Sequence, residues 1–397
     1  MGIFTGKFVY ARHCHGQNRQ TDSPETRPAT RLRRVGFGAC LIWLAWGLPT
    51  NADTLRLATF NVSLKRDGPG LLLRDLEKGT DRQINAVERI INRLAPDVLL
   101  LNNFDFDLRG VALEVFASQL EVNYPYLFAL PSNAGLPSGL DLDGDGRLNG
   151  PGDRQGFGRF SGNGGMALLS RFPIETRKVK DFSNLLWKDL AGARLPSKDG
   201  APFPSLAAQK AQRLASKGLW DVPVRLPDGR VLHVLASHAT PPVFDGPEDL
   251  NGMRNRDEIR FWSGYLSKIP QGELFVILGD LNADPKDGEG SHRAISRLIS
   301  DPRLTDPRPQ SRGAKMAAKR QGGPNLRHKT DARLDTVDWD ETRTPGNMRV
   351  DYVLPSKGFA VIDAGVFWPA PDEGGFDLVG LNGDIGAHHR LVWVDVK

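Results

Sequence analysis

The sequence is nearly devoid of cysteine: it has two in 397 residues, Cys14 and Cys40, both within the first 52. No disulfide can brace the rest, which must hold together by burying a core. About 345 residues suffice for that, as one large α/β unit with loop insertions. A membrane-length apolar run is also missing, since Val35–Leu48 falls short of the roughly 20 residues of a comfortable span. Basic excess is missing too once the ends are separated. Residues 1–52 carry Lys7 and six arginines against Asp22 and Glu25, which accounts for the whole net charge of +5 and leaves 53–397 formally neutral. The basic pI is therefore no mark of a DNA-binding domain, which would keep a basic face of its own. No internal repeat is present.

The first 52 residues have the pattern of a secretory signal: Arg31, Arg33 and Arg34, then the apolar stretch Val35–Leu48, then small and polar residues to Ala52. Cleavage is expected after Ala52, and the segment before Arg31 reads as an over-extended start. The protein is expected to be exported, periplasmic or secreted, with no membrane insertion of its mature part. An uncleaved N-terminal anchor is the alternative reading.

From Leu55 onward, alternating or continuous apolar runs predict strands at Leu55–Val62, Val98–Leu101, Gly165–Leu169, Trp220–Arg225, Val231–Ser237, Leu274–Leu278, Val350–Leu354 and Leu391–Val396. Helical spacing marks Asp81–Leu94, Arg256–Ile269 and Ser291–Ile299. Many strands with few helices between them suggest two packed sheets with helices outside. Two insertions stand out in the domain spanning 53–397. Residues 131–160 are rich in Gly and Asp; 306–349 form a polar, basic loop with Lys315, Lys319, Arg320, Arg327 and Lys329. Loops of such length are functional or disordered.

Polar residues recur at strand ends, where a scaffold presents its site. In order they are Asn61, Asn103 with Asp105, His238, Asp280 with Asn282, Asp351, and His388-His389. Hard cations need oxygen ligands, and phosphoryl chemistry needs phosphate donors and a positioned base. Singly, each is a turn residue or a structural histidine as readily as a site residue. Their order at strand ends is what carries weight.

With Thr59-Phe60-Asn61, Ser237-His238, Gly279-Asp280-Leu281-Asn282 and Arg349-Val350-Asp351-Tyr352 in place, the chain resembles the endonuclease/exonuclease/phosphatase superfamily. The phrases FVILGDLNADP, MRVDYVLPS and HRLVWVDV are similar to its bacterial exported branch. The resemblance covers nearly all of Leu55–Lys397. It implies a four-layer α/β sandwich with two mostly antiparallel sheets, and a monomeric phosphoesterase using a divalent metal, Mg²⁺ or Mn²⁺, or Zn²⁺. It implies that Asp280 orients or deprotonates the attacking water and that Asn282 holds a phosphate oxygen. His389, positioned by Asp351, would contact the phosphate as a cation. His238 would stand near the leaving group, and Asn61 would touch the metal or its water. Asn61, Asn282 and His389 are thus the substrate-binding candidates.

Three positions depart from the pattern. Asn103 stands where the resemblance places a metal glutamate, His388 where it places an aspartate, and Gly164 where it places a tyrosine. Asn61, Asn103 and His388 are what remains of the metal side. Imidazole suits Zn²⁺ or Cu²⁺ better than Mg²⁺. Three outcomes follow: Asp105, on the same strand face, supplies the carboxylate; His388 recruits a softer metal; or the chain is a catalytically silent phosphate- or partner-binding module.

Asp141-Leu142-Asp143-Gly144-Asp145-Gly146-Arg147-Leu148-Asn149 has the alternating carboxylates and the glycine of a calcium loop. Its twelfth position is Gly152, with Asp153 adjacent. Asp141, Asp143, Asp145, Asn149 and Asp153 are the candidate ligands of a structural Ca²⁺, against a turn-rich solvated loop. The resemblance implies a phosphate-ester substrate. Nucleic acid is included if the basic 306–349 segment contacts polyanions, which would show as a steep salt dependence.

Overall fold

The computed structural model describes residues 54–339, 345–381, 383 and 385–397. Residues 1–52, where a secretory signal is expected, lie outside the described residues. The first half of the chain forms β1 (Leu55–Leu64), α1 (Leu71–Lys78), α2 (Arg82–Leu94), β2 (Val98–Phe104), α3 (Val111–Gln119), β3 (Tyr126–Phe128), β4 (Gly165–Ser170) and β5 (Lys180–Asp181). Then come β6 (Ser197–Lys198), β7 (Ala201–Pro202), α4 (Leu206–Ala211), β8 (Leu219–Arg225), β9 (Val231–His238) and α5 (Leu250–Leu266). The chain ends through β10 (Leu274–Asp280), α6 (His292–Ile299), α7 (Arg312–Gln321), β11 (Asp351–Pro355), β12 (Val361–Val366) and β13 (Val392–Val396).

Six strands make one sheet, in the order β12-β13-β1-β2-β4-β3, and five make the other, β11-β10-β9-β8-β5. In these two sheets β1–β2 and β9–β10 pair parallel and the other neighbours antiparallel. Alternation sorts the side chains into layers. Leu57 and Leu100 of the first sheet pack with Val234, Val276 and Leu278 of the second. The opposite parity of β1 and β2, Phe60, Leu99 and Leu101, packs on α2 and α3 through Ile84, Val87 and Phe116. Leu235, Phe275 and Ile277 pack on α5 and α6 through Ile259, Trp262 and Ile295. The result is the expected four layers. Central strands covered on both faces are why Val98–Leu101 reads as an unbroken apolar run. Each buried aliphatic contributes about 1.5–3 kcal/mol, so these layers outweigh the few disulfides the chain lacks.

Two segments differ from expectation. Helix α5 begins at Leu250, not Arg256, because its early turns bury Arg254, Asn255, Asp257 and Glu258. An inward polar face erases the apolar period used to find it. The 306–349 loop contains α7, capped by Ser311, which buries Ala314, Ala317 and Ala318. Its small apolar stripe was outweighed by its charges. The ends of this segment are closed by Arg349, which grips Asp306 with bonds of 2.8 and 2.5 Å. Among the described residues, no helix is long and apolar enough to cross a membrane.

Candidate active site

The strand ends meet at one edge of the sandwich. In register, Asp280 of β10 lies beside His238 of β9 and opposite Asp351 of β11. The close approach depends on Gly279, with φ +145°, where a Cβ would overlap the Ser237 carbonyl oxygen. Asn61 comes from β1 in the facing sheet and donates from Nδ2 to Asp280 Oδ2 at 2.9 Å. His389, just before β13, is fixed by a bridge to Val337 and by the Arg390 N–H bond to the Thr336 carbonyl, 2.7 Å.

The distances define one cluster. Asp280 Oδ2 lies 3.6 Å from His238 Nε2 and 3.8 Å from His389 Nδ1. Asp351 Oδ2 accepts from His389 Nδ1 at 2.8 Å and from Thr336 Oγ1 at 2.8 Å. Trp339 stands edge-on to the His389 ring, centroids 5.9 Å apart. The Asn282 N–H donates to Asp280 Oδ1 at 2.9 Å, and its side-chain Nδ2 donates to the Ala239 carbonyl at 2.9 Å. A second amide hydrogen remains on Asn282 for an incoming oxygen.

Burial sets the proton affinities. His238, Asp280, Asp351 and His389 are all buried. Desolvation, together with the Asp351 charge, pushes the Asp280 carboxyl up to about 7 against the bonds from Asn61 and Asn282. Burial also opposes the charged form of His389, but Asp351 and Asp280 outweigh it and hold its pKa above the ordinary 6.5. His238 goes the other way, held neutral by burial and by Lys217, His389 and Lys65. Its Nδ1 is buried without a partner. The edge therefore presents a carboxylate poised near neutrality, a charged imidazole and a neutral one.

The metal side is built differently. A bulge at Asn103, with φ +55°, separates the Asn102–Met166 and Phe104–Gly165 pairs and turns Asn103 toward β1. There Asn103 Nδ2 donates to Asn61 Oδ1 at 3.0 Å, so the amide oxygen expected on a metal is already bonded. Asp105 supplies no free carboxylate: it accepts from Arg66 N at 2.7 Å, Gly164 N at 2.7 Å and Asn163 Nδ2 at 3.1 Å. His388 stands apart, exposed, with Nδ1 bonded to the Asp338 carbonyl at 3.0 Å. Two lysines, Lys65 and Lys217, border the same space. Burial, with Lys65, pulls the Lys217 pKa down to about 7. Asn61, Asn103 and His388 do not fit a divalent cation.

Among the described residues, two groups bring three potential ligand atoms within 4.8 Å: Asp280 with Asp351 and His389, and Asp141 with Asp143 and Asp145. In the first, Asp351 and His389 are bonded to each other. In the second, the carboxylates are partly exposed. Asp141 accepts from Gly144 N at 2.6 Å and Gly146 N at 3.0 Å, as a loop wrapped for a cation does. Burial and the neighbouring acids raise the Asp143 pKa against a backbone bond from Asp145. Asp153 spends both oxygens on Leu142 N and Gly150 N, and Asn149 is exposed. The chemistry of this loop fits Ca²⁺ through Asp141, Asp143 and Asp145.

A cleft of about 720 Å³ runs from His238 and Asn103 past Lys65 and Lys217 to Leu142 and Asp143 of the acidic insertion. Phe157 and Phe244 line it while 69% and 92% exposed. No described residue of 306–349 lines it, so Lys319 and Arg320 are not placed to hold a substrate there. Sequence reasoning missed Lys217 and Glu258. Lys217 lies three residues before the predicted strand Trp220–Arg225, near the strand-end signal that singled out the others. Glu258 carried no signal, being one acid in a charged helix.

Residues 58–373 match the Endonuclease/Exonuclease/phosphatase family. No curated protein matches the chain. Among solved structures, an endonuclease/exonuclease/phosphatase from Beutenbergia cavernae is 19% identical, with a TM-score of 0.50 over 87% of this chain and 71% of that one. A family protein from Leptotrichia buccalis is 16% identical, with a TM-score of 0.46 over 86% of this chain and 99% of that one. Sphingomyelinase C from Streptomyces griseocarneus is also 16% identical, with a TM-score of 0.45 over 86% and 99%.

Proposed function

The chain belongs to the Endonuclease/Exonuclease/phosphatase family, and from that premise we propose that it is an exported phosphoesterase whose hydrolytic centre is the cluster of His238, Asp280, Asn282, Asp351 and His389. The observation that carries this reading is a buried Asp280 within 3.8 Å of two histidines whose pKa values are pushed in opposite directions, one of which, His238, lines a cleft. Asp280 takes a proton from water as the water oxygen bonds to phosphorus, a task suited to a base near pH 7. The ester P–O bond breaks, and the departing oxygen takes the proton from the second ring nitrogen of His389. Asp351 holds that ring in place and favours its charged form. Asn282 offers its spare amide hydrogen to a phosphate oxygen. His238, held neutral and 3.6 Å from Asp280, bonds the attacking water in this reading, a role nearer the nucleophile than the leaving group.

Exposed Phe157 and Phe244 support an ester whose organic part is flat or apolar and packs on them, a nucleobase included. The acidic insertion would hold a structural Ca²⁺ that orders one wall of the cleft. The apolar stretch Val35–Leu48 supports export, and the protein would act as a monomer. Hydrolysis of bis(p-nitrophenyl) phosphate and plasmid DNA, with and without Mg²⁺, Mn²⁺, Zn²⁺ and Ca²⁺, tests the reading. Turnover that is eliminated in folded Asp280→Asn and His389→Ala supports it. No turnover under any condition by the folded protein would leave the silent binding module instead.

A further inference from the structure

The cleft floor carries an ammonium group with nothing bound to it. Among the described residues, Lys217 Nζ has no hydrogen bond or ion pair, although the residue lines the cleft beside His238 and Asn103. Its backbone is held on several sides. The Lys217 carbonyl accepts from Asn133 N at 2.9 Å. Buried Glu258 on α5 binds the preceding Ser216 N–H at 2.8 Å with one oxygen and Thr240 N–H, next to the His238 strand, at 2.6 Å with the other. Arg254, one helical turn earlier, donates to the carbonyls of Leu214 at 2.9 Å and Ala215 at 3.2 Å. Two buried charges are costly in a fold, and here they lock a single loop in position.

Gly164 borders the same space. A Cβ at this residue would lie 2.8 Å from Asn103 Oδ1 and 3.5 Å, an ordinary contact, from Lys217 Nζ, and its φ of +56° disfavours any side chain. The Asn103 oxygen and the lysine thus stand on either side of a residue whose backbone favours glycine. Asp105, bonded to the Gly164 N–H at 2.7 Å, keeps that backbone in place. The three unusual features of this edge, Asn103, Gly164 and the unpaired lysine, form one arrangement. It offers the lysine's positive charge and no free carboxylate.

We propose that Lys217 Nζ binds a non-bridging oxygen of the substrate's phosphate, so that this lysine adds positive charge beside the phosphate and turnover needs no divalent cation. The turnover clause rests on the hydrolytic reading above; the binding clause does not. Titration calorimetry with inorganic phosphate at pH 6.5, after chelator treatment and with folding followed by circular dichroism, reads the site directly. The unmodified protein should bind phosphate, Lys217→Met should bind at least tenfold more weakly, and Lys217→Arg should recover part of the loss. Hydrolysis of bis(p-nitrophenyl) phosphate should persist in chelator and drop at least 100-fold in Lys217→Met, with Mg²⁺ restoring neither property. Phosphate binding that appears only with Mg²⁺ or Mn²⁺, or a Lys217→Met protein that binds as the parent does, would overturn the assignment. Binding through Lys217 without turnover removes the hydrolase reading and leaves this site. Turnover indifferent to Lys217→Met removes this site and leaves the hydrolase.

Discussion

Replacing Asp280 by Asn should stabilise the protein at alkaline pH and leave it nearly unchanged in acid, while eliminating hydrolysis. The carboxyl is pushed from its ordinary 3.8 to about 7 by desolvation and by Asp351. A pKa raised on folding favours the native state below the unfolded value, and the benefit is lost as pH rises through the folded one. Between pH 3.8 and about 7 the unfolded chain ionises this carboxyl while the native state keeps its proton, so stability falls, and above about 7 the native state bears a poorly solvated carboxylate. The shift of about 3 units amounts to about 4 kcal/mol. Asn keeps the volume, and its oxygen can accept only one of the two bonds now made by Asn61 Nδ2 and Asn282 N, which costs about 1 kcal/mol. The net expectation is a gain of about 3 kcal/mol at pH 8 that shrinks to about zero at pH 4.5. Urea unfolding of parent and variant at both pH values measures it, and the difference cancels titrations elsewhere. A gain equal at the two pH values, or larger in acid, would refute the claim that Asp280 is a strained base.

The other predictions concern neighbouring parts of the site. Asp351→Asn and His389→Ala should each lower kcat by about 10²–10⁴, and the pH profile of the parent should rise near 7 with Asp280 and fall above the ordinary histidine range with His389. Asp351→Asn should move that falling limb to lower pH, because Asp351 is the larger of the two charges raising His389; an unmoved limb would assign it to another group. Glu258→Gln should cost about 1–3 kcal/mol in urea unfolding, since an amide cannot accept both the Ser216 and Thr240 N–H groups; unchanged stability would dissolve the clamp. Phe244→Ala, at a side chain 92% exposed, should leave stability within about 0.5 kcal/mol and raise KM for an aryl phosphodiester but not for dimethyl phosphate. Ca²⁺ should raise Tm and protect residues 131–160 from proteolysis, and Asp143→Ala should remove both effects.

The sequence by itself determined the layers and most of the hydrolytic edge. Alternating and continuous apolar runs mark strands because a strand's period is two whatever surrounds it, and a sheet covered on both faces leaves no polar side chain to interrupt the run. The same strand ends carried Asn61, His238, Asp280, Asp351 and the histidines. Helix α5 and helix α7 were misread because a pattern records polarity and not direction: Arg254 and Glu258 turn inward, and the alanines of α7 are hidden among charges. Only the tertiary structure decided what each polar residue does. It joined Asp351 to His389 and gave two histidines opposite protonation through burial and neighbouring charge. It left His388 at the surface and spent Asp105 on the Gly164 backbone. It brought Lys217 to the same cleft as the bulged Asn103. Proton affinity and ligand geometry depend on distances between residues far apart in the chain, and no local pattern encodes those distances.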